Sequence, residues 1–167
     1  MLKIIGAKGN IQSIDSFLKK IEGFAKENNL TVQAFNADLI YGKNHLISSV
    51  EHATRSIVQK TNTTNSLGKE ILLYASGGRQ LKIAIPKMGV KQGKANIAFV
   101  FYGDKISDQI IKNLLEKLSL AKDNKVLEGS INTLKKYGIS NNELESVTKD
   151  KYGDLILEKI AMVDIIK

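Results

Sequence analysis

The stretch EILLYASGGRQLKIAIPKMGVKQGKANIAFVFYG, Glu70 to Gly103, decides how the rest of the chain is read. Two apolar runs enclose a Gly-Gly turn, a short amphipathic segment and a basic loop. Ile71, Leu72 and Leu73 form a continuous apolar run, which suits a strand covered on both faces; a helix is the alternative. Gly77 and Gly78 break that run. Leu81, Ile83, Ala84, Ile85 and Met88 then fit a short helix closed by Gly89 at its C-cap. Pro86 sits awkwardly there, because it lacks an N–H and its ring crowds the carbonyl one turn back, so a kink or a shifted boundary is expected. Residues 91–94 read as a basic loop. Residues 97–102 are the clearest strand, apolar and aromatic, closed by Gly103 and Asp104. Between Glu70 and Asp104 there is no acid, only Arg79, Lys82, Lys87, Lys91 and Lys94.

Upstream, residues 2–6 read as a short strand ended by Gly6. Ile11, Ile14, Leu18, Ile21 and Ala25 recur at spacings of three and four, which gives an amphipathic helix ending near Asn28-Asn29. Residues 30–35 return to strand composition. A second helix begins around Lys43, with Leu46, Val50, Ala53 and Ile57 as its buried row. His45, Ser48, His52, Arg55 and Gln59 fall on a polar stripe of the same helix. The polar run TNTTNS, residues 61–66, has no apolar anchor and reads as a mobile connection. Downstream, Ser107 or Asp108 caps a helix carrying Ile110, Ile111, Leu114, Leu115 and Leu118. Residues 125–127 are ambiguous. A short helix at residues 130–137 is stopped by Gly138, and Ser140 with Glu143 makes a capping-box pattern. Asp154 is placed to cap a last helix with Leu155, Ile156, Ile160 and Val163 on one side. Strands alternate with helices first and helices follow alone. The expected fold is mixed α/β (α+β), a small central sheet of about four strands with flanking helices and a helical C-terminal half.

The chain has 167 residues, enough for one domain over residues 1–167 with a core of its own. It has no cysteine, which excludes disulfides and Cys-based zinc sites. The beginning MLKIIGAKGN is too short and too weakly apolar for a signal peptide, and no apolar run approaches a membrane span. The expectation is a soluble, cytoplasmic protein with no membrane contact. A net charge of +8 favours a polyanionic partner, while solubility is the plainer explanation. The charge is uneven: residues 140–167 hold six acids against four lysines.

No nucleotide, metalloprotease or nucleophile-elbow motif is present. The two histidines lie seven residues apart on one helix, about 10 Å along its axis, too far for both to hold one metal ion. The carboxylates are scattered, and none pairs for acid–base work. The chain reads as a non-enzyme without cofactor or metal. The turn Ser76-Gly77-Gly78-Arg79-Gln80 is different. At a helix start, free N–H groups and the helix dipole favour an anion. Gly77 and Gly78 permit close approach, Arg79 grips a phosphate or stacks on a base, and Gln80 reaches a base edge. A tight turn whose arginine covers apolar surface is the competing reading.

At these residues the chain resembles the small kinase-binding subunits of the KEOPS/EKC complex, the family of the animal PRPK-binding protein, TPRKB. The resemblance is carried by LGKEILLYASGGRQLKIAIPKMGVK: Leu67, Glu70-Ile71-Leu72, the small polar turn, Ala84 and Met88-Gly89. Archaeal-type members are also similar at Tyr41-Gly42-Lys43-x-His45-Leu46 and at Glu51-His52-Ala53. Pro86 departs from the animal pattern. The resemblance implies a non-catalytic subunit of a complex that makes threonylcarbamoyladenosine in tRNA. It implies two partners: the N-terminal lobe of an atypical Ser/Thr kinase/ATPase, and tRNA, especially its single-stranded 3′ CCA end. The expected RNA face is Gly77, Gly78, Arg79, Gln80 and Lys82 with the stripe from His45 to Arg55. The expected kinase contact is Leu155, Ile156 and Ile160. A pure protein scaffold that binds a kinase and no RNA is the alternative.

Overall fold

The protein, described here over residues 1–166 of a computed structural model, folds around one antiparallel sheet in the order β2-β3-β1-β4. The strands are β1 (Leu2–Ile11), β2 (Thr31–Asn36), β3 (Gly93–Tyr102) and the two-residue β4 (Ala121–Lys122). The helices are α1 (Ile14–Glu27), α2 (Gly42–Val58), α3 (Leu67–Ser76), α4 (Leu81–Met88), α5 (Asp108–Lys117), α6 (Ile131–Tyr137), α7 (Asn141–Glu145) and α8 (Tyr152–Ile166). Short 3₁₀ turns at Ala37–Leu39, Asn124–Leu127 and Lys149–Lys151 connect them. The fold is mixed α+β, as expected from the order of apolar patterns.

β1 and β3 pair along their full length, from Leu2 with Tyr102 to Ile11 with Gly93. Alternation then sorts their side chains into two cores. Ile5, Ala7, Ile97, Phe99 and Phe101 face α1 and α5, which bring Phe17, Ile21, Phe24, Ile111 and Leu114. Ile4, Phe35, Ala98 and Val100 face the remaining helices, α3 and α8 foremost. Among the described residues no helix is long and apolar enough to cross a membrane.

Several sequence expectations are corrected. Residues 71–73 are helical, not a strand: Ser66 caps α3, its hydroxyl accepting from the Lys69 N–H. The run looked two-faced because α3 lies between the sheet, α2 and α8, so most of its circumference is buried. Gly6 does not end β1. It lets the Asp123 backbone pass, where a Cβ would stand 2.4 Å from the Asp123 oxygen. In α1 the buried row is Phe17, Ile21 and Phe24; Leu18 is exposed, and Ile11 belongs to β1. Ile57 leaves the buried row of α2. Gly93 and Lys94 are part of β3, not of a loop. Asp154 lies inside the first turn of α8 and does not cap it. Residues 61–66 are tethered: the buried Glu70 carboxylate accepts from the Thr63 and Thr64 N–H groups at 3.2 and 3.0 Å and from the Ser56 hydroxyl at 3.2 Å. Pro86 is tolerated within the final turn of α4, with an exposed ring and only two helical residues after it.

Candidate interaction site

Gly77 ends α3 in the left-handed conformation, φ 72°, which glycine adopts without penalty. A Cβ there would meet the Tyr137 hydroxyl at 2.7 Å and the Lys159 Cβ at 3.2 Å. The turn is therefore wedged against α6 and α8, and Gln80 then opens α4 with no side-chain cap. Gly78 donates to the Ser76 hydroxyl. Arg79, Gln80 and Lys82 are exposed. The turn is thus at a helix start, as expected, although a helix and not a strand precedes it.

Two lysines flank this turn. Lys87 Nζ donates to the Ser76 carbonyl at 3.0 Å and sits 3.8 Å from the centre of the Tyr137 ring. Partial burial, then the nearby Lys159 charge, pull the Lys87 ammonium below the usual lysine range. Lys159 pairs with Glu143 at 3.2 Å. Sequence reasoning placed Lys87 in the basic run but missed its role beside the turn. It missed Tyr137 and Lys159 altogether, because only packing brings α6 and α8 here.

The Arg79 guanidinium donates to the Ile166 carbonyl, an otherwise open acceptor at the end of α8. Arg55 reaches the same helix end, 3.9 Å from Asp164. His52 Nδ1 lies 2.7 Å from Asp164 Oδ2 and 2.9 Å from Arg55 Nη2, and Tyr74 donates to Asp164 Oδ1. Partial burial alone would raise the Asp164 carboxyl. The hydrogen bonds from Tyr74 and His52, with the charges of His52 and Arg55, outweigh it and hold the carboxyl below the usual range. The structure thus brings Arg55 and Arg79 together around one helix end.

His45 does not join them. It is 1% exposed, its Nδ1 accepting from the Tyr41 N–H at 3.1 Å and its Nε2 donating to the Ala75 carbonyl at 2.9 Å. Burial, opposed by the Ala75 bond and aided by Lys87, pushes its pKa down to about 4, so it is neutral at pH 7. The stripe expected from periodicity is therefore polar only toward its C-terminal end, and His45 offers nothing to RNA. Leu155, Ile156 and Ile160, expected at the kinase, are 6%, 1% and 0% exposed. They form the inner row of α8, and no partner reaches them while the chain is folded.

The exposed apolar surface lies elsewhere. Of ten large apolar side chains exposed among the described residues, seven sit on the end of α2, on α4 and on the end of α8. Val58 is 81% exposed, Ile165 73% and Ile83 60%. Ile57 and Ile166 adjoin Val58 and Ile165, Ile85 is on α4, and Met162 is one turn back on α8. The Arg55–Asp164 contact sets the ends of α2 and α8 side by side at one corner, and Arg79, in the turn ahead of α4, reaches the same end of α8. Among the described residues no group of three or more His, Asp or Glu could hold a metal ion.

Residues 9–164 match the family model described as "Kinase binding protein CGI-121". No curated protein matches the chain.

Proposed function

As the chain belongs to the CGI-121 family of kinase-binding proteins, we propose that it is the non-catalytic kinase-binding subunit, of archaeal type, of a cytoplasmic KEOPS-type complex that makes threonylcarbamoyladenosine in tRNA. The observation that carries the kinase half of this reading is the apolar corner. Isolated chains seldom leave several large apolar side chains exposed together unless a partner covers them. Val58 and Ile165, with Arg55 and Arg79 beside them, have the makeup of an interface: an apolar centre with arginine at its edge. The N-terminal lobe of the complex's atypical kinase/ATPase is the partner that the family resemblance supports.

The tRNA half is supported by the turn. Gly77 and Gly78 allow close approach, Arg79, Gln80 and Lys82 are exposed, and Lys87 adds positive charge beside it. A single-stranded CCA end suits such a site, through phosphate contacts and splayed bases. Arg55 shares the corner with Arg79; His45 is not part of this face.

One experiment with two arms tests the reading. Val58→Glu with Ile165→Glu is expected to lower kinase affinity at least about a hundredfold while the melting temperature is unchanged, since both side chains are exposed. Arg79→Glu with Lys82→Glu is expected to weaken tRNA binding by about tenfold and to flatten its salt dependence. Undiminished kinase binding by the first variant sinks the placement of the interface. No salt-dependent tRNA affinity in the wild-type protein leaves a pure kinase-binding scaffold.

A further inference from the structure

One end of the sheet has a bare face. Alternation puts Lys8 and Asn10 of β1, and Lys94 and Asn96 of β3, on the same face as Ile4, Ala98 and Val100. Helices cover that face along the apolar residues, but these four side chains are exposed. The register pairs Lys8 with Asn96 and Asn10 with Lys94, a cross-strand square in which lysine and amide alternate. The square lines a groove of about 580 Å³. Through Asp38 and Asn96 the groove adjoins a second hollow of about 270 Å³, lined by Lys125 and by Lys136 of α6.

We propose that this groove binds a single-stranded polynucleotide. Among the described residues Lys94, Lys125 and Lys136 stand in no ion pair, whereas Lys8 is held 2.8 Å from Asp123. Free ammonium groups spaced along a groove suit successive phosphates, each neutralised charge releasing a counterion. The asparagines supply what a base edge requires, a donor and an acceptor on one group. Asp38 Oδ1 accepts from Asn96 Nδ2 at 3.3 Å, which orients that amide and leaves its oxygen and second N–H for a ligand. The Asp38 carboxylate itself accepts from an exocyclic amino group such as that of cytosine. Splayed bases of a single strand can lie on an open sheet face, whereas a duplex keeps its base edges in its grooves.

The groove is built by β1, β3, two 3₁₀ turns and α6, and the apolar corner by α2 and α8. No element is shared, so both surfaces can be occupied at once. At the corner, moreover, both guanidiniums already hold the end of α8. Of the groove's lysines, Lys94, Lys125 and Lys136 are in none of the ion pairs found among the described residues.

Fluorescence anisotropy of a labelled oligouridine of about 12 nucleotides against the full chain tests this. Lys94→Glu, Lys125→Glu and Lys136→Glu together are expected to cost at least about tenfold in affinity and to reduce the log–log salt slope by about two, three contacts at roughly 0.7 each. Asn10→Ala with Asn96→Ala is expected to weaken binding severalfold with the slope unchanged. The same charge change on α1 and α5, at Lys19, Lys20 and Lys117, is expected to stay within about twofold of wild type. Wild-type affinity in the groove variant overturns the proposal. An equal loss in the α1/α5 variant overturns it too, because bulk charge would then account for the binding. So does competition by polyglutamate as strong as by unlabelled oligouridine, which would make this a groove for acidic peptides.

Discussion

His45 carries two helices on one imidazole: it accepts from the Tyr41 N–H ahead of α2 and donates to the Ala75 carbonyl in α3. Tyr137 donates to the same carbonyl and meets the imidazole edge-on at 5.4 Å between ring centres. Protonation would turn Nδ1 from an acceptor into a donor facing the Tyr41 N–H. His45 titrates at about 4 in the folded protein against 6.5 for an ordinary histidine. As pH falls the unfolded chain takes up this proton first, so the contribution is whole above about pH 6.5 and declines toward pH 4, by roughly 3 kcal/mol. Urea unfolding between these limits should show His45→Gln less stable at pH 7, by about 2 kcal/mol, yet flatter with pH than wild type. Parallel pH profiles for the two proteins would refute this. The residue's identity was plain in the sequence and its role was not, because periodicity locates a stripe without saying which end of it a neighbouring helix covers.

At the scale of the element, α3 is the instructive case. Its continuous apolar run fits a buried strand and a buried helix equally, and local pattern cannot separate them. The Ser66 cap and the Glu70 carboxylate mark the helix start from opposite sides: Ser66 binds the first turn, and Glu70 reaches back to the Thr63 and Thr64 N–H groups. Glu70 thus replaces the apolar anchor that residues 61–66 lack. Glu70→Ala is expected to cost about 2 kcal/mol, with Glu70→Gln costing less because it still accepts hydrogen bonds. Amide exchange at Thr63 and Thr64 should speed up in the alanine variant, and unaltered protection there would rule out the tether. By contrast α5 was legible in advance, since Ser107 caps it and one face alone is apolar.

For the whole molecule, α8 decides whether the larger core exists. Leu155, Ile156, Ile160 and Val163 all enter it, beside residues of α2, α3 and α6. Deleting the chain from Tyr152 onward removes four buried apolar side chains, each worth about 1.5–3 kcal/mol, a loss comparable to the entire stability of an ordinary domain. The truncated protein should lose its cooperative thermal transition, and a retained sharp transition would show that α8 is an appendage. The same helix presents Met162, Ile165 and Ile166 outward, so its two sides serve the core and the exposed corner separately. Net charge acts at this scale as well. The four ion pairs found among the described residues leave most lysines unpaired, which favours long-range attraction of a polyanion at low salt.

Sequence by itself determined the mixed α+β class, the helical C-terminal half, the caps at Ser107, Gly138 and Ser140, and the Gly77–Gln80 turn as a place without acids. These follow from local chemistry: alternation, helical periodicity, glycine's freedom at positive φ and the orphan N–H groups of helix starts. Only tertiary structure decided the strand order, the helical state of residues 71–73, the burial of His45 and the inward turn of Leu155, Ile156 and Ile160. It alone drew Arg55, Arg79 and the apolar ends of α2 and α8 into one corner, and left Lys8, Asn10, Lys94 and Asn96 on a bare stretch of sheet. The reason is physical: a sequence states which face of each element is apolar, but what covers that face comes from residues distant in the chain.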